Sequence, residues 1–64
     1  MYKLYDVAGY IGTYAKWADL RDKVTDLLMN QQARGSWERI DKFRADYVSK
    51  DTGRRIFYAE RLAA

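Results

Sequence analysis

Neither cysteine nor histidine occurs in these 64 residues, and the two absences together close off most routes by which a short chain does chemistry. Without cysteine there is no disulfide framework, no thiolate nucleophile and no sulfur ligand; without histidine the commonest zinc ligand and general base are gone. Proline is missing too, and no repeat, low-complexity tract or linker-like stretch divides the chain. No apolar run approaches the roughly 18 residues that cross a bilayer. The opening Met1-Tyr2-Lys3-Leu4-Tyr5-Asp6 lacks the charged-then-apolar layout of a secretory signal. The expectation is one domain over 1–64, cytoplasmic, not an enzyme, with no metal or other cofactor and no membrane partner.

What is present is aromatic and apolar. Two Trp, six Tyr and two Phe accompany a 48% hydrophobic fraction, the composition of a packed domain and not of a disordered tail. The length is near the lower end of what one core can support without staples. The net charge is +3, and all of it lies in the second half. Residues 34–64 carry Arg34, Arg39, Lys42, Arg44, Lys50, Arg54, Arg55 and Arg61 against five acids, whereas residues 1–33 are balanced. A localised excess of this kind fits an acidic partner, although ordinary solvated charge looks similar.

Along the chain, Met1 to Val7 reads as a first strand, and the glycine-bearing Ala8-Gly9-Tyr10-Ile11-Gly12 as a turn. Tyr10-Ile11-Gly12 resembles half of the GIY-YIG nuclease signature. No Gly-Ile-Tyr precedes it and the chain is shorter than that domain, so the stretch reads as a loop with no nuclease role. From Thr13 the period changes. Trp17, Leu20, Val24, Leu27 and Leu28 recur at helical spacing while Lys16, Asp19, Asp22, Lys23 and Asp26 fill the other side, which predicts an amphipathic helix over 13–33 capped by Thr13 and stopped at Gly35. Trp37 opens the next strand as a lid on the core. Phe43, Ala45 and Tyr47 then alternate with polar residues, Lys50-Asp51-Thr52-Gly53 turns, and Arg55–Leu62 returns as the second arm of a hairpin.

The fold class that follows is α+β, a two-layer β-α-β-β sandwich with one helix on a three-stranded, mainly antiparallel sheet and the first strand beside the last. An even hairpin register places Phe43, Ala45, Tyr47, Ile56, Tyr58 and Leu62 inward, because the odd register would set Arg55 and Arg61 over the helix. The expected core is Leu4, Trp17, Leu20, Val24, Leu27, Phe43, Tyr47, Ile56 and Tyr58.

The same register turns Lys42, Arg44, Arg55, Phe57 and Arg61 to the uncovered side of the sheet, with Arg54 at the hairpin tip. Arginine around an aromatic centre is the composition of interface hot spots. These six residues are the expected partner-binding surface. The expected function is that of a small binding protein of the phage or mobile-element accessory type. It would inhibit or modulate a larger host protein complex by engaging an acidic or polar groove on it. A regulator that lays the Arg-rich hairpin on the phosphate backbone of DNA or RNA is the alternative. Self-association through the open face or an edge strand is expected as well.

Overall fold

The computed structural model of the chain describes residues 1–31 and 34–62. It is a two-layer α+β fold with one helix, α1 (Trp17–Gln31), on a five-stranded antiparallel sheet: β1 (Tyr2–Asp6), β2 (Gly9–Tyr14), β3 (Gly35–Arg39), β4 (Arg44–Ser49) and β5 (Arg55–Arg61). The sheet order is β2-β1-β5-β4-β3. The first strand does lie beside the last. The expected three strands become five, because the stretch read as a glycine-bearing turn pairs as an edge strand, and the single strand expected from Trp37 onward is divided by a loop into β3 and β4.

The first of these is β2. The chain reverses at Val7 and Ala8, where the Asp6 Oδ1 accepts hydrogen bonds from the Ala8 and Gly9 N–H groups at 2.8 and 3.0 Å. Gly9 takes the positive φ of 134° that this reversal needs. Tyr10, Ile11 and Gly12 are thus strand, not turn. The ladder between β1 and β2 runs Leu4↔Gly12 and then Tyr5↔Tyr10, so Ile11 is an extra, bulged residue. A bulge breaks two-residue alternation, which is why the sequence pattern hid the strand.

The second is β3, whose only large apolar side chain is Trp37. The loop to β4 is closed by the Ile40 and Asp41 N–H groups donating to the Arg44 carbonyl, and by Asp41 Oδ1 accepting from the Phe43 N–H at 2.7 Å. Gly35 begins this strand instead of ending the helix. A Cβ there would run into the Val48 carbonyl oxygen and stand 2.7 Å from Tyr47 Cε1, so only glycine allows β3 to approach β4.

The helix begins at Trp17, later than expected. Thr13 is in β2, and the first turn is supported by Asp19 beside the positive end of the helix dipole. The expected helix end at 33 lies outside the described residues. The helix phase agrees with expectation: Leu20, Val24 and Leu28 are buried, Trp17 and Leu27 pack beside them, and Asp19, Asp22, Lys23 and Asp26 face solvent.

The hairpin register is the main correction. Tyr47 pairs with Phe57 and Ala45 with Ala59, so Phe57 at 1% exposure is a core residue. Tyr58, expected inside, lies opposite Asp46 on the uncovered face. The core is Leu4, Leu20, Val24, Leu28, Tyr47, Phe57 and Ala59, with Ile56 packed at its margin and Phe43 53% exposed. The objection to this odd register was two arginines over the helix. Two devices remove it. The ladder shifts between Tyr47 and Val48, leaving Ile56 as an extra residue and setting Arg55 opposite Val48 on the outer face. Arg61 stays on the helix side, but it lies opposite Tyr2 at the sheet's end and is exposed.

Candidate functional site

The side chains that leave the core at the N-terminal end of the helix do not close it. Trp17 from α1 meets Tyr2 edge-on at 5.4 Å between ring centroids, and Trp37 from β3 at 4.9 Å; Trp37 in turn touches Tyr47 at 5.3 Å. Tyr2, Trp17 and Trp37, with Phe43, Ala45 and Ala59, line a concavity of about 410 Å³. Arg39, Lys42, Arg44 and Arg61 also line it, with Asp41 as the single acid.

The groove exists because three elements stop short of one another. Phe43 precedes β4 and is held there by the Arg61 N–H donating to its carbonyl at 2.7 Å. Arg39 Nε reaches only the Asp41 carbonyl oxygen, at 3.4 Å. Among the described residues no carboxylate lies within 4.0 Å of the charged nitrogens of Arg39, Lys42 or Arg61. The Asp41 carboxylate is occupied in shaping the loop. A floor of aromatic rings beneath unpaired cations can hold an acidic segment carrying an apolar side chain, or a nucleotide whose base stacks while its phosphate meets the cations.

The expected surface divides between this groove and elsewhere. Lys42 and Arg61 come together at the groove, while Arg44 lies at its margin with its guanidinium turned to the uncovered face. Arg54 sits at the hairpin tip, where its N–H donates to Thr52 Oγ1. Phe57 is buried and unavailable to a partner. Arg55 belongs to the uncovered face, which is not basic. Lys3, Arg44 and Arg55 there are matched by Glu38, Asp46 and Glu60, placed by the pairings Lys3↔Glu60, Arg44↔Glu60 and Glu38↔Asp46. Asp46 binds Arg44 Nε at 3.0 Å and has Arg55 Nη1 at 3.9 Å.

A tyrosine row crosses this face. Tyr5 stacks on Tyr58 at 4.7 Å and meets Tyr10 edge-on, while the Arg44 and Arg55 guanidiniums lie 4.6 and 4.8 Å from the Tyr58 ring centre. The hydrogen bond to Asp46 is the main cause that raises the Arg44 pKa above its ordinary value; burial opposes it, and the charges of Asp46, Tyr58 and Glu60 add to it. Arg44 is thus engaged within the chain, whereas Arg39, Lys42 and Arg61 have no carboxylate partner among the described residues.

Sequence reasoning missed Arg39, Trp17 and Trp37 as groove residues, and Phe43 as an exposed one. The available signal was the cluster Trp37-Glu38-Arg39-Ile40-Asp41-Lys42-Phe43, rich in both rings and cations. Among the described residues no helix is long and apolar enough to cross a membrane. No family model, no curated protein and no solved structure matches this chain.

Proposed function

We propose that the chain is a small non-enzymatic binding protein that engages an acidic segment of a larger protein complex through the groove between Trp17, Trp37 and Phe43, and by occupying that segment inhibits or modulates the complex. The observation that carries this reading is the set of three cations, Arg39, Lys42 and Arg61, without carboxylate partners among the described residues, over an aromatic floor. Exposed aromatic rings beside arginine give both contact area and orientation at interfaces. The uncovered sheet face supports it less, since its charges already cancel.

The test is capture of partners by the purified protein and by its Arg39→Glu, Arg61→Glu double variant, with nuclease present. Both changes are at exposed, unpaired positions, so the melting temperature should hold while the captured protein is lost. Equal capture by both forms would remove the groove from the function.

A second reading is favoured by the same rings. A single-stranded nucleic acid could stack a base on Trp37 or Phe43 and set phosphate on the rim. It separates from the first by salt. Phosphate binding weakens steeply as salt rises and does not depend on a particular protein partner.

A further inference from the structure

We infer that the free edge of β3 is the track on which the partner segment lies, as an added, extended strand with acidic side chains at alternate positions. This rests on the groove being the binding site, and it specifies the shape and pattern of what enters.

The phase of the β3–β4 ladder is set at both ends. Lys50 N–H donates to the Arg34 carbonyl and Ile40 N–H to the Arg44 carbonyl, both at 3.0 Å. Alternation between these points aims the main-chain groups of Ser36 and Glu38 at β4, and leaves those of Gly35, Trp37 and Arg39 pointing away from the sheet. The opposite edge of the sheet, β2, is guarded by its bulge at Ile11. β3 has no register shift, no proline and no lysine, so its unpaired groups form a regular template.

Side chains and main chain point to the same partner. Trp37 and Arg39, whose N–H and C=O groups have no partner among the described residues, are also the β3 residues that line the groove. A strand laid beside them would present every second side chain to Trp37, Arg39 and the adjoining loop residue Lys42, where acidic and apolar residues fit. Its other side chains would lie beside Ser36 and Glu38 on the outer face, where a carboxylate would meet Glu38 and be repelled. A helical segment has no free main-chain groups to offer this edge.

The probe is an acetylated and amidated heptapeptide, Thr-Glu-Thr-Val-Thr-Glu-Thr, titrated into the isotope-labelled protein and followed by amide NMR. A heptapeptide of the same composition with its glutamates adjacent and an oligothymidylate serve as comparisons. Saturable binding of the alternating peptide is expected, with exchange of the Trp37 and Arg39 amides slowed about tenfold and the Glu38 amide, already bonded to β4, unchanged. Arg39→Pro should bind about five- to tenfold more weakly than Arg39→Ala, since both lose the charge and only proline loses the outward N–H. Arg39→Glu with Lys42→Glu should abolish binding.

Shifts at the groove without slowed exchange at Trp37 and Arg39 would overturn strand addition and leave the groove reading standing. Equal binding of the two glutamate arrangements, or of none, would also overturn it. Protection of these amides by oligothymidylate alone, or by raising the protein concentration without peptide, would assign the edge to nucleic acid or to a second copy of β3. The exchange measurement uses the unsubstituted protein, so it decides the matter even if Arg39→Pro does not fold.

Discussion

Phe57 and Tyr58 are adjacent aromatic residues with opposite fates, and the difference between them is a direct test of the hairpin register. Phe57 packs edge-on to Tyr47 inside the core, while Tyr58 stacks on Tyr5 outside. Phe57→Ala should cost about 3–5 kcal/mol, as large-to-small changes in cores do. Tyr58→Ala should cost no more than about 1.5 kcal/mol, the range of a surface aromatic pair with its cation contacts. Chemical denaturation of the two variants reads the difference, and a larger loss at Tyr58 would restore the even register. Gly35 offers a second residue-scale test. Gly35→Ala adds one methyl group where the Val48 carbonyl and the Tyr47 ring already stand, so a loss of about 1–3 kcal/mol is expected, the usual cost of overpacking. An unchanged melting temperature would mean that β3 does not approach β4 so closely.

At the scale of the element, α1 was legible because three buried side chains, Leu20, Val24 and Leu28, repeat every four residues and no turn chemistry interrupts them. Leu20→Ala removes a side chain with no exposed surface and should cost about 2–5 kcal/mol by denaturation. β5 was legible in extent but not in phase. The alternation of Ile56 and Tyr58 is as apolar as that of Phe57 and Ala59, and nothing local marks Ile56 as the extra residue. Deleting Ile56 should leave a regular ladder in which Arg55 still faces Val48. The variant should therefore melt cooperatively, losing about 1–3 kcal/mol for one half-buried apolar side chain. A non-cooperative melt would show that the bulge is needed to seat β5 under the helix.

For the whole molecule, the charge excess collects at one pole. The uncovered face cancels its own charge through Asp46 and Glu60, while Arg39, Lys42 and Arg61 around the groove have no carboxylate partner among the described residues. Two pairs of charge reversals should consequently behave differently. Arg39→Glu with Arg61→Glu alters exposed, unpaired groups and should leave the melting temperature nearly unchanged. Arg44→Glu with Arg55→Glu removes both partners of Asp46 and adds two acids beside it and Glu60, so it should lower the melting temperature at low salt. Added salt should recover part of that loss, because the new repulsion is partly solvent-exposed. Identical melting curves for the two variants would mean that the Asp46 cluster contributes nothing to the fold.

The linear sequence by itself determined the α+β class, the helix and its buried stripe, the C-terminal hairpin, and the gathering of positive charge in the second half. Each of these is written in neighbouring residues, as a period, a turn or a local count. Only the tertiary structure decided the two edge strands, the register of the hairpin and the place where the cations gather. A bulge at Ile11 and another at Ile56 each interrupt the two-residue period, and the pairing partner alone shows which residue is surplus. Whether an arginine on the helix side is buried depends on where the helix ends, a distance in space that no local pattern carries. Arg61 lies past that end, and with Arg39 and Lys42 it frames the groove.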